Sequence, residues 1–273
     1  MKDIKLFYWS SKVFEHKPQE NYGDLLSKFI VEQVSGSRAH FFNALKQRKS
    51  IFKRSYLMGI GSILAHAQKK AVVWGSGIIS REDSFQVANV YAVRGPLSRK
   101  RVLELGYECP EVYGDPALLL PLYYQPKKQP KRALGIIPHY VDYKQVKKQF
   151  DDAETLIIDL MTDDIFKTTD AICSCERIIS SSLHGVIVAH AYGIPAIWVP
   201  FSNKLSGDNV KFEDYFLSVQ LEPYAMASEN EFLSTSDFNK AWTTLPSLPQ
   251  ASHIQQLQTG LLNAYPASYK NRI

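Results

Sequence analysis

Short apolar runs at residues 5–9, 56–59, 71–74, 90–93, 133–138, 155–160, 177–180 and 196–199 alternate with segments whose apolar residues recur at helical spacing. Strand and helix in alternation imply parallel sheets, because two parallel neighbours need a crossover between them and that crossover is usually a helix. One segment interrupts the pattern. Gln125-Pro-Lys-Lys-Gln-Pro-Lys-Arg132 is polar, carries two prolines, and can neither pack a core nor continue a helix. The expected fold is therefore α/β, with two Rossmann-like domains, residues 1–125 and 133–273, and an interdomain cleft. The last apolar helical pattern, near residues 254–264, is free to pack back on the N-terminal domain.

Composition narrows the function classes. With 273 residues and 45% hydrophobic content the chain can fill one large core or two ordinary ones. Its longest apolar runs, 117–122 and 194–201, fall far short of the roughly 20 residues that a membrane-spanning helix needs. The chain starts Met1-Lys-Asp-Ile-Lys5 and enters Leu6-Phe-Tyr-Trp9 without a long apolar leader, so the expected location is the cytoplasm. Cys109, Cys173 and Cys175 form neither a disulfide framework nor a Cys-x-x-Cys pair, and no His, Asp or Glu set has metal-ligand spacing. A net charge of +5 favours acidic partners such as a phosphorylated substrate, while no nucleic-acid-binding signature accompanies it. The basic and aromatic stretch over residues 41–54 reads either as an ordinary solvated helix or as a peripheral contact with the inner face of an anionic membrane.

Three helix starts carry chemistry. Asp24 precedes Leu25, Leu26, Phe29, Ile30 and Val34, an apolar stripe that its carboxylate can cap. Gly95-Pro96 opens a second helix, and Arg94 just before it is expected to act as an anion clamp beside exposed amides, the alternative being a pair with an acidic neighbour. Ser182 opens a third, within Ile178-Ile-Ser-Ser-Ser-Leu-His-Gly185, where free amides and a partial positive charge suit phosphate or carboxylate. His184 falls in that first turn, where the field depresses its basicity until an anion binds, a behaviour fit for acid-base work. Its alternative is a bond to a neighbouring loop. Gly185 is expected to let a ligand approach the backbone, and Gly77 to line a ligand crevice. Asp115, in Tyr113-Gly-Asp-Pro116, can cap, hold Arg94 or touch ligand; His139 ends the first strand of the second half at a cleft edge.

Taken in order, Asn21-Tyr-Gly-Asp24, Gly75-Ser-Gly77, Val93-Arg-Gly-Pro-Leu-Ser98, Tyr113-Gly-Asp-Pro116, Ile137-Pro-His-Tyr140, Ser181-Ser-Leu-His-Gly185 and Lys211-Phe-Glu-Asp-Tyr215 resemble the polysaccharide pyruvyl transferase family. The resemblance implies a GT-B-like arrangement, phosphoenolpyruvate as co-substrate with no cofactor, and a glycan or lipid-linked oligosaccharide as acceptor. It also implies that His184 and Arg94 act on the donor; Asp24, by its place beyond the first strand and not by the resemblance, either activates an acceptor hydroxyl or simply caps its helix. Several members of that family carry arginine immediately before Leu-His, where this chain has Ser182; Lys204 is the expected replacement cation. The competing readings are a GT-B glycosyltransferase with a nucleotide-sugar donor and a non-catalytic glycan- or phosphate-binding protein.

Overall fold

A computed structural model of the chain describes residues 3–49, 52–150, 154–202, 207–224 and 235–270. The first half runs β1 (Ile4–Phe7), α1 (Ser11–Phe14), β2 (Glu20–Asn21), α2 (Tyr22–Ser35), β3 (Ala39–Phe41), β4 (Tyr56–Met58), β5 (Ala71–Trp74), β6 (Asn89–Ala92), α3 (Pro96–Glu104) and α4 (Leu120–Tyr123). The second runs β7 (Leu134–Ile137), α5 (Tyr143–Gln149), β8 (Thr155–Ile157), β9 (Met161–Thr162), α6 (Ile165–Cys173), β10 (Ile178–Ser180), α7 (Leu183–Ala191), β11 (Ala196–Trp198), α8 (Val210–Ser218), α9 (Thr235–Thr244) and α10 (Ala251–Asn263).

The strands assemble into two separate parallel sheets, ordered β3-β1-β4-β5-β6 and β11-β10-β7-β8. Chain order reverses between β1 and β4 in the first and between β7 and β10 in the second. These are the switch points where helices leave opposite faces and a crevice opens beyond the carboxyl ends. Residues 125–132, mostly exposed, lie between the two sheets in sequence.

The halves are nevertheless closely joined. β2 pairs antiparallel with β9, Asn21 opposite Met161, and the Tyr22 amide donates to the Leu160 carbonyl at 2.8 Å. Tyr22, fully buried, shares a 2.7 Å hydrogen bond with Thr169 of α6, and Lys12 pairs with Asp163 at 2.8 Å. One apolar cluster runs through both sheets, from Leu6, Ile30 and Trp74 to Ile137, Ile178 and Val188. α10 returns to the first sheet: Trp74 Nε1 donates to the Leu261 carbonyl at 2.8 Å, Gln258 Nε2 donates to that of Leu118 at 2.7 Å, and the Trp74 and Tyr265 rings meet edge to face. Trp74 is fully buried, so its indole N–H needs the acceptor that α10 provides.

Local chemistry explains the helix starts. α2 begins at Asn21, whose side chain accepts from the Gly23 amide at 3.0 Å, so the cap lies three residues before the expected Asp24. Gly95 precedes α3 and has no side chain to cap it; Asp214 of α8 does so instead, accepting from the Leu97 and Ser98 amides at 2.9 Å each. α7 starts after Ser182 as expected, though the Ser182 hydroxyl makes no cap bond. No helix among the described residues is long and apolar enough to cross a membrane.

Candidate active site

A cavity of about 430 Å³ opens where the loops at both switch points converge. Trp9 follows β1, Gly61 and Ser62 follow β4, His139 and Tyr140 follow β7, and Ser182 to His184 follow β10; Asp24 enters from α2 and Lys211 from α8. Four residues expected at the site, Asp24, His139, Ser182 and His184, thus share one wall system although up to 160 positions separate them.

His184 is held from two sides. A methyl group on Gly23 would lie 2.0 Å from His184 Nδ1, so the ring occupies the space a side chain there would take. Its Nε2 faces the Asp115 carboxylate at 3.8 Å, too far for a hydrogen bond, and has no other partner among the described residues. Burial first, then the Arg94 and Lys211 charges, lower the His184 pKa to about 3, so the free protein holds a neutral imidazole. His139, likewise lowered to about 4 by burial and then by Lys211, is also neutral, and its amide donates to Ser181 Oγ at 2.8 Å.

Asp24 behaves in the opposite sense. Burial, followed by the nearby carboxylates of Glu20, Glu15 and Asp115, raises its pKa well above the ordinary value. It therefore tends to keep its proton, as a general acid must. The Glu15 carboxylate is fixed by Trp9 Nε1, which donates to one oxygen at 2.6 Å, and by the Tyr140 hydroxyl, which donates to the other at 2.8 Å. That contact spans the two halves at the cavity rim. Among the described residues no group of three or more His, Cys, Asp or Glu side chains is placed to hold a metal.

The sequence profile of polysaccharide pyruvyl transferases matches residues 35–203, more than half of the chain. The chain belongs to the polysaccharide pyruvyl transferase family. It is also 31% identical over 252 residues to a protein of Acanthamoeba polyphaga mimivirus known as uncharacterized protein L143, with 87% of this chain and 83% of that protein covered. The matched family segment takes in Arg94, Asp115, His139 and His184 and stops short of Asp24 on one side and Lys211 on the other.

Within this pyruvyl transferase fold, several expected roles change. Arg94 is completely buried and is not an open clamp: Nε donates to Asp214 at 3.0 Å, Nη1 to Ser62 Oγ at 2.5 Å and Nη2 to the Ile78 carbonyl at 2.7 Å. It acts on the cavity as a nearby charge and fixes Ser62, which lines it. Gly77 seats this guanidinium rather than a ligand, since a methyl there would meet Arg94 Cζ at 2.3 Å. Gly185 faces the sheet, where a methyl would meet Ser180 Oγ at 2.4 Å, so it serves packing and not ligand approach. Asp115 is fully buried and takes the capping role among those expected, accepting from the Ala117 and Gly61 amides at 2.9 and 3.4 Å, with its carboxylate 3.8 Å from His184 Nε2. Burial raises its pKa to about 6 against the lowering effect of those amides and Arg94. Lys204 lies outside the described residues.

Three contributors were not singled out from the sequence as site residues. Gly23 makes room for His184, Asp214 secures Arg94, and Lys211 brings a cation to the cavity. Each sits inside a motif quoted above, so the signal was present; what the linear sequence lacks is the partner, which for Asp214 and Arg94 lies 120 positions away.

Proposed function

We propose that the chain transfers the pyruvyl group of phosphoenolpyruvate to a sugar, on a glycan or a lipid-linked oligosaccharide, as a ketal, with residues 1–125 and 133–273 as the two Rossmann-like parts of a GT-B-like arrangement. What supports this reading is that a candidate proton acceptor, His184, and a candidate proton donor, Asp24, line one cavity, where burial lowers the pKa of the imidazole and raises that of the carboxyl. Ketal formation needs both. A proton must be added to the methylene carbon of the donor, and a sugar hydroxyl must lose one as its oxygen bonds the adjacent carbon. Phosphate then departs with the electron pair of the carbon–oxygen bond, and a second hydroxyl closes the ring, releasing its own proton. Asp24 is suited to the first proton transfer and His184 to accepting from the hydroxyl, which reverses the role expected for Asp24. The start of α7, uncapped by Ser182, favours the donor's anionic oxygens.

Phosphate release from phosphoenolpyruvate across a panel of glycoside acceptors tests the reading, and acceptor-dependent release is the expected result. Turnover of a nucleotide sugar in its place would make the chain a glycosyltransferase. Peripheral membrane contact belongs to the same reading: Phe52 is 86% exposed and is followed by Lys53 and Arg54, while residues 50–51 lie outside the described ones. Sedimentation with anionic vesicles that salt weakens is expected; equal binding to neutral vesicles would remove the electrostatic part.

A further inference from the structure

We infer that Lys211 is the cation that holds an anionic oxygen of the donor, in the role that an arginine before Leu-His would otherwise fill; this rests on the phosphoenolpyruvate reading above. Lys211 lines the cavity together with Ser182 and His184. The obvious cation, Arg94, is already committed to Asp214, Ser62 and the Ile78 carbonyl. Ser182, buried and small, places no charge of its own at the start of α7.

The acidic neighbours of Lys211 on α8 are occupied elsewhere. Glu213 pairs with Arg81, and Asp214 pairs with Arg94. No salt bridge to Lys211 is formed among the described residues; its Nζ lies over the Phe212 ring at 5.5 Å, a contact that supports the stem and leaves the hydrogen-bonding capacity of the ammonium unused. It lines the same cavity as His184 and His139, and its charge acts on both imidazoles. Burial, and then Arg94, lower its pKa to about 8, the mark of an ammonium that lacks a counter-charge. A phosphate or carboxylate oxygen supplies that counter-charge, and it would also favour the protonated form of His184 after proton transfer.

Calorimetric titration of the whole chain with phosphoenolpyruvate tests the assignment, with inorganic phosphate and pyruvate as separate arms that show which end of the donor Lys211 holds. Lys211→Ala is expected to weaken phosphoenolpyruvate binding on the order of 10- to 100-fold, as for a lost charge-assisted hydrogen bond, and Lys211→Arg to recover most of it. The thermal midpoint of both variants should match the parent, which separates a binding role from a structural one. Unchanged affinity in Lys211→Ala, or a loss confined to Lys204→Ala, overturns the inference while leaving the donor reading intact. Failure of the unaltered chain to bind phosphoenolpyruvate removes the donor reading, and this inference with it.

Discussion

α8 presents two charged side chains three residues apart with opposite fates. Asp214 is fully buried and every bond it needs is made: one oxygen takes the Leu97 and Ser98 amides, and the other takes Arg94 Nε at 3.0 Å and the Ser98 hydroxyl at 2.6 Å. Lys211 reaches the cavity with no salt bridge among the described residues, beside His184, whose Nε2 has no hydrogen-bond partner among them. A polar group whose partners are complete is part of the framework. Buried groups left incomplete around a cavity mark the place where a ligand finishes the network. The same contrast separates Arg94, which the sequence puts forward as a clamp, from Lys211, which it does not.

The contrast can be broken by substitution. Replacing His184 with alanine is expected to lower turnover on the order of 10² to 10⁴-fold with the fold intact, read by steady-state kinetics beside a denaturant titration. Arg94→Ala should do the reverse: leaving Asp214 buried and unpaired costs roughly 3–5 kcal/mol of stability, visible as a lower urea midpoint. If Arg94→Ala stays as stable as the parent and loses only donor affinity, the division into framework and site is wrong at that residue. Gly23→Ala probes the boundary between the two. The added methyl would displace the imidazole, and a shift near 1 Å costs about 10²-fold in rate, so turnover should fall while donor affinity measured by calorimetry changes much less.

The mildest test uses pH. Lys211 titrates near pH 8 in the free protein, and only its protonated form attracts the donor. Affinity for phosphoenolpyruvate should therefore decline as pH rises through about 8, rather than near the ordinary lysine value of 10.5. Arg94, His66, His139 and His184 are the other basic groups at or beside the cavity, and Glu15, Asp24 and Asp115 the acidic ones; the guanidinium keeps its charge across this range, and burial keeps the His139 and His184 imidazoles neutral. A Lys211→Arg variant should show no such decline, and a decline that persists in it would assign the titration to another group.

Much of the fold is readable in advance because β-branched and aromatic runs bounded by glycine, proline or polar residues leave few alternatives. β5 falls on the expected residues and the other seven anticipated strands differ only at their ends. β3 escaped notice because it has three residues and its middle one, His40, is exposed, so no apolar run announces it. β2 and β9 are two residues each and exist only because each finds the other. At the site, His184 and Asp24 were legible as reactive types at helix starts. The glycines were visible too, but not the side chain each one admits: Gly23 takes His184, Gly77 takes Arg94, and Gly185 takes the Ser180 hydroxyl. Sequence order names residues and leaves pairings across more than a hundred positions to the fold.

The return of α10 to Trp74 bears on how the chain comes into being. During synthesis the first sheet emerges with its five strands, yet the acceptor for the Trp74 indole and the ring that meets its edge, Leu261 and Tyr265, are made only after the strands of the second sheet. The first half must therefore wait on the ribosome with an apolar face uncovered, and it completes its interior only when residues 251–265 arrive. Completion of the first half's interior is thus tied to α10, and a chain cut before Ala251 would leave the buried Trp74 indole without its acceptor.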